Sequence, residues 1–266
     1  MPRRLAAVLL TAAALAAVAA CGDDGRAARA GRSAPGAEPW QRWGLDAPPL
    51  RPPAPPSGKP ELPAPQEPGL PPVVSTVPTK EKILFLTIDD GVEKDPDFVR
   101  MMSELDLPYT AFLSDRFIKD DYAYFARLRT EHGTVLGNHT LTHPRLTDLT
   151  AERQSAEICG MQQVLDDQYG QRPDIFRPPY GTYDTTTLEA AAGCGIRTVL
   201  RWQEQVFPDR VAYDRPEGDF APGDVVLTHF KGEAQWNAPM ADAIRRLLNT
   251  ITPKGYALAA LMDYLP

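Results

Sequence analysis

The chain has 266 residues, 43% of them hydrophobic and 24% charged, which is ordinary for a folded globular protein. Its formal net charge is −7, and the folded part has no Lys/Arg cluster. That argues against a nucleic-acid partner, because contact with phosphates needs a basic face. The 28 prolines crowd towards the first eighty positions, leaving residues 81–266 as one domain long enough for a sizeable core.

Residues 1–20 read as an export signal. Arg3 and Arg4 form a positive start, and an uncharged apolar run follows that is too short to span a bilayer. The run ends in Val18-Ala19-Ala20-Cys21, which resembles the bacterial lipobox. That resemblance implies acylation of Cys21 and a lipid-anchored protein on the outer face of the cell membrane. The alternative is an ordinary secretory signal followed by an incidental cysteine. Residues 21–80 then read as the anchor cysteine and a Pro-rich linker, a semi-rigid spacer with too little apolar content to order itself. Trp40, Trp43 and Leu45 are unusual in a pure spacer, and a part of the segment that docks would explain them.

Beyond residue 80, strand-like and helix-like segments alternate. Strands are predicted over 83–88, 109–113, 134–138, 174–177, 198–200 and 224–227. Helices are predicted over 95–105, 120–130, 150–169, 184–192 and 238–251, with Gly170 and Gly193 closing two of them. Apolar strands alternating with helices indicate α/β architecture with a parallel sheet, as a barrel or an open doubly wound sheet. In both, chemistry belongs just beyond the strand C-termini. Asp89 and Asp90, His139, Arg177 and His229 fall there. Of the three cysteines, Cys159 and Cys194 form either a disulfide or two buried thiols.

Four motifs carry chemistry. Thr87-Ile88-Asp89-Asp90-Gly91 places two adjacent carboxylates at a strand end, which a cation or a base role would separate in protonation. Asn138-His139-Thr140-Leu141-Thr142-His143 spaces two imidazoles for one metal, in a turn because Pro144 disfavours a helix. Phe176-Arg177-Pro178-Pro179-Tyr180-Gly181 is a stiff loop that presents an arginine. Val225-Val226-Leu227-Thr228-His229 delivers a histidine from a buried strand. Taken singly, each also fits a bland reading, as a turn, a cap or a structural histidine.

Together, in this order, the motifs resemble the polysaccharide deacetylase family, the NodB-homology domain of carbohydrate esterase family 4. The resemblance spans about residues 82–265 and implies a distorted (β/α) barrel of about seven strands. It implies that Asp90, His139 and His143 hold a divalent metal, zinc before cobalt, nickel or manganese. Asp89 would be the general base and Arg177 its orienting partner. The Tyr180 backbone N–H would stabilise the oxyanion, and His229 would protonate the leaving amine. The implied reaction is hydrolysis of N-acetyl groups from a glycan, with release of acetate.

Three positions depart from the family pattern. The stretch Leu200-Arg201-Trp202-Gln203-Glu204-Gln205-Val206 has the tryptophan of a further motif but lacks its aspartate, with Glu204, or less readily Asp209, as a stand-in. Val92 follows Gly91 where many relatives have proline, and Phe230 follows His229 where many have an acid. The leading expectation is an anchored deacetylase of an acetylated cell-envelope glycan, peptidoglycan first and chitin-like oligosaccharide second. The alternatives are a catalytically weak glycan-binding lipoprotein and an O-acetyl (xylan-type) esterase. Nothing in the sequence points to a protein partner.

Overall fold

The computed structural model describes residues 36–216 and 218–266. The signal peptide expected at 1–20, the acylated Cys21 and the first part of the linker lie outside the described residues. In chain order the elements are α1 Pro39–Arg42, β1 Val73–Val74, β2 Ile83–Asp90, α2 Pro96–Glu104, β3 Thr110–Leu113, α3 Asp115–Ile118, α4 Tyr122–His132 and β4 Val135–Asn138. There follow α5 Ala151–Tyr169, β5 Ile175–Phe176, α6 Thr185–Gly193, β6 Thr198–Leu200, β7 Glu204–Val206, β8 Val211–Tyr213, β9 Val225–His229, α7 Glu233–Trp236, α8 Met240–Ile251 and β10 Ala257–Leu258.

Strand order is β1-β6-β5-β4-β3-β2-β9-β7-β8, with β10 beside the start of β2. Every pairing is parallel except β7 with β8. All eight side chains of β2 are buried, as a central parallel strand covered on both faces requires. Each large apolar side chain so buried contributes about 1.5–3 kcal/mol. Helix boundaries follow local chemistry. Asp95 caps α2 by accepting from Asp97 N, with Pro96 at the first helical position. Gly170, at φ 61°, ends α5 in the left-handed conformation that glycine adopts without cost. The amphipathic α8 buries Met240, Ile244, Leu247, Leu248 and Ile251 against the sheet. A disulfide joins Cys159 on α5 to Cys194 at the end of α6, which decides between the two sequence readings.

The segment around β1 does what the sequence reading did not foresee. On one side Val199 N donates to Pro72 O (2.9 Å) and Arg201 N to Val74 O (2.8 Å). On the other, Val225 N donates to Ser75 O (3.1 Å) and Val77 N to Gly223 O (2.8 Å). Residues 72–77 thus fill the seam between β6 and the start of β9 and close the sheet into a distorted barrel. Gly223 (φ 83°) is required there, because a Cβ would lie 1.9 Å from Val77 O.

The spacer expectation is therefore corrected for residues 36–80, which belong to the same compact unit as the rest. Trp40 and Trp43 pack against the core and Leu45 is buried in it. Trp43 Nε1 donates to Glu104 Oε2 (2.8 Å), and Arg245 Nε donates to Trp43 O (2.8 Å). Proline-rich composition removes backbone donors and so regular structure, but a few well-placed apolar side chains are enough to dock an extended strap.

Candidate active site

Parallel register brings the chemistry-bearing residues to one end of the barrel. Asp89 lies opposite His229 on β9 and Phe112 on β3, and Asn138, at the end of β4, lies opposite Leu113. The next residues after these strand ends are where the polar groups converge. Four of the six positive-φ residues other than glycine among the described residues are here: Asp90 (79°), Thr140 (72°), His143 (60°) and Tyr180 (62°). Each costs of order 1–3 kcal/mol, and such strain gathers where the surroundings hold a side chain for use.

The turn after β4 is built by its own side chains. Thr140 N donates to Asn138 Oδ1 (2.9 Å) and His143 N donates to Thr140 Oγ1 (3.1 Å). The expected turn, rather than a helix, is what presents both imidazoles. Gly91 (φ 97°) closes against Ile118, whose Cγ2 would lie 2.4 Å from any Cβ there. Nε2 of His139 and of His143 lie 3.6 and 3.3 Å from Asp90 Oδ1. That oxygen is buried and has no hydrogen-bond partner. One ligand atom from each of the three residues lies within 4.8 Å of the others.

His139 Nδ1 sits 2.6 Å from Arg177 O, so its proton points to that carbonyl and Nε2 keeps its lone pair for a ligand. Burial opposes charge on Asp90, yet the His139 and His143 imidazoles beside it hold its carboxyl well below the usual range. One carboxylate and two imidazoles with positions left open suit a catalytic zinc-like cation, so the donor set fits the expected metal.

Arg177 is completely buried and donates from Nη1 to Asp89 Oδ1 (2.7 Å) and Thr87 Oγ1 (2.8 Å). Its other N–H groups reach Leu200 O and Arg201 O, both at 3.3 Å. A buried ion pair of this kind is tolerable only because its remaining donors are satisfied too. Tyr180 stands at the cleft edge, 57% exposed, its ring 4.9 Å from that of His143. The next two backbone N–H groups are used within the turn, Gly181 N to Pro178 O and Thr182 N to Pro179 O.

The acid half differs from the expectation. Glu204 does not serve His229. It points away, fully buried, with its Oε1 3.6 Å from Arg215 beside Asp224. Asp209 is exposed and paired with Arg210. The period-two alternation of β7 turns Gln205 towards the cleft instead, with its Nε2 3.5 Å from His229 Nδ1. Burial lowers the pKa of His229 to about 4, offset in part by Asp90 and Asp89. Phe230 has an apolar task, packing edge-on against Phe98 and Phe125. Lys231, which sequence reading missed, reaches Asp90 Oδ2 (3.2 Å). Gln205, paired with Leu227, shares the sheet face of His229, a signal that becomes usable only once the register is known. The cleft lined by these groups and Trp202 holds about 320 Å³.

The barrel thus sets a carboxylate–imidazole–imidazole group that could hold a metal ion, beside a clamped second carboxylate, at its strand C-termini, where such folds carry their chemistry. The Polysaccharide deacetylase family profile matches residues 76–199. An uncharacterised protein of Streptomyces coelicolor is 44% identical over 197 residues, 74% of this chain and 78% of that protein. The peptidoglycan-N-acetylmuramic acid deacetylase PdaA of Bacillus subtilis is 26% identical over 199 residues, 70% of this chain and 73% of its own. Its solved structure has a TM-score of 0.59, at 23% identity over 72% of this chain and 84% of that one. BA3943, a CE4 family pseudoenzyme from Bacillus anthracis, has a TM-score of 0.61, at 20% identity over 74% of this chain and 69% of that one. The chain belongs to the polysaccharide deacetylase family, and its fold is the distorted barrel of carbohydrate esterase family 4.

Proposed function

We propose that this protein is a metal-dependent deacetylase that removes N-acetyl groups from a cell-envelope glycan, peptidoglycan foremost. One juxtaposition carries this reading: a carboxylate clamped by a buried arginine beside an unclaimed ligand set. Arg177 fixes Asp89, while one residue on, Asp90 Oδ1 is buried without a hydrogen bond between two imidazoles. A pure binder has no use for the clamp.

Asp90, His139 and His143 would hold the cation, zinc before cobalt, nickel or manganese. Bound there, it would polarise the acetamide carbonyl and lower the pKa of an attacking water. Asp89 accepts the water proton on the carboxylate that Arg177 orients. The Tyr180 N–H donates to the carbonyl oxygen as charge builds there, an effect worth about 3 kcal/mol at such sites. His229 delivers a proton to the departing amine, and acetate is released. The disulfide between Cys159 and Cys194 supports export to an oxidising compartment, in keeping with an anchor at Cys21 on the outer face of the membrane.

A second reading rests on Gln205. With a neutral amide beside His229, acid catalysis is weak, and a glycan-binding lipoprotein on this fold would look the same. An O-acetyl ester, whose leaving group needs less protonation, would depend less on His229. Acetate release from peptidoglycan, chito-oligosaccharides and acetyl-xylan separates the three. Zinc-stimulated, chelator-sensitive release from the N-acetyl glycans is expected. Asp89→Asn should lower it by about 10²–10⁴ with metal binding kept. Tight metal binding without acetate from any substrate would establish the binder, and release from acetyl-xylan alone the esterase.

A further inference from the structure

We infer that Lys231 is a positioning residue of the metal site: its ammonium occupies the second carboxylate oxygen of Asp90, so that Asp90 offers a cation one oxygen only. This deepens the deacetylase reading and rests on its metal-binding part. The two oxygens of Asp90 stand in different surroundings. Oδ1 faces the Nε2 atoms of His139 and His143 at 3.6 and 3.3 Å and has no hydrogen-bond partner. Oδ2 lies 3.2 Å from Lys231 Nζ, and among the described residues no other Lys or Arg is ion-paired with Asp90.

The backbone holds both partners in place. β2 and β9 run side by side to their ends, where Asp89 lies opposite His229. One residue on, Phe230 N donates to Asp89 O (3.0 Å), and Glu93 N donates to Phe230 O (2.8 Å). The Phe230 side chain is fully buried, so Lys231 departs from a fixed point. Lys231 N donates back to His229 O (2.8 Å), and its side chain lines the cleft. Asp90 is fixed as well: its carbonyl accepts from Ser114 N (3.2 Å), and its side chain is 5% exposed against 30% for that of Lys231. Such a pair differs from an ordinary surface ion pair, in which two mobile side chains gain little from meeting.

A carboxylate with both oxygens free can grip a cation with both and fill two positions around it. The ammonium claims Oδ2 and leaves Oδ1 alone between the imidazoles. A donor set of three atoms keeps room for both a water and an acetamide carbonyl. The arrangement has a cost, because the positive charge of Lys231 repels a divalent cation and draws on the charge of its carboxylate ligand. Lys231 thus lowers cation affinity and keeps positions open for the reaction.

The test measures zinc and cobalt binding by the wild-type protein, Lys231→Met and Lys231→Arg, with melting profiles to establish that each folds. Lys231→Met is expected to bind zinc about tenfold more tightly, in competition with a chromophoric chelator. The visible absorption of its cobalt form should weaken, because a further ligand oxygen raises the coordination number. Lys231→Arg keeps the charge and a donor, and should keep the wild-type affinity and spectrum. Unchanged or weaker zinc binding by Lys231→Met would overturn the inference, and so would an unchanged cobalt spectrum. A Lys231→Arg protein that behaves as Lys231→Met does would overturn it too, since a charged donor would then not be what holds Oδ2. If Lys231→Met does not fold, Lys231→Ala carries the same expectations. Neither readout needs turnover, so zinc binding without acetate release would count against the proposed reaction and not against Lys231. A wild-type protein that binds neither metal would overturn both.

Discussion

Gln205 is a single residue whose identity sets the charge behaviour of another. Its amide beside His229 Nδ1 supplies no negative charge, and burial then governs the imidazole, whose pKa falls to about 4. Placing a carboxylate there, in Gln205→Asp, should raise the His229 pKa by at least about one unit in an NMR titration of the metal-free protein. No movement would mean that the side chain at 205 does not govern His229. The residues legible in the sequence were those whose chemistry sits at the end of an apolar run: Asp89, Asp90, His139, Arg177 and His229. His143 and Tyr180 were legible as the outer members of short rigid motifs. Gln205 and Lys231 were not, because a side chain's face depends on register, and a three-residue strand between two loops has no periodicity to read.

At the scale of the element, β7 divides its residues between two environments. Gln205 faces the cleft, while Glu204 is sealed behind the strand with neither carboxylate oxygen hydrogen-bonded. Burial, reinforced by Asp224, raises its pKa to about 9, from 4.5 when unperturbed. The folded state therefore keeps a proton that the unfolded chain has released, and stability falls as pH rises between those two values. The slope approaches about 1.4 kcal/mol per pH unit at most. Glu204→Gln removes this dependence. Its melting temperature should match that of the wild type near pH 4 and exceed it increasingly from pH 5 to 8; parallel profiles would contradict the protonation assigned to Glu204. Long elements such as β2, α5 and α8 were readable from their apolar patterns and caps. The two- and three-residue strands β1, β7, β8 and β10 were not, since tertiary hydrogen bonding alone makes them strands.

For the whole molecule, the boundary placed near residue 80 cuts through the barrel. The composition before it is that of a spacer, and composition averages away Trp40, Trp43, Leu45, Val74 and Val77, the side chains that do the docking. A chain beginning at Gly36 should unfold in one cooperative thermal transition. A chain beginning at Glu81 exposes the core beneath those residues and leaves β6 and β9 with unpaired edges. It is expected to lose that transition and to aggregate. Equal melting of the two would show the strap to be dispensable.

The seam strand also fixes an order of events in synthesis. Thr76 meets Asp224 across 148 residues, and Val74 pairs with Leu200, so both partners leave the ribosome long after β1 has emerged. Until then the growing barrel can gather only from β2 through β6, as an open sheet with an edge waiting at each side. Contacts this distant in sequence are the slow ones to form, and an incomplete sheet invites pairing with other chains in the meantime. The first strand to be made must wait for the sixth, and then for the approach to the ninth, before both its edges are used.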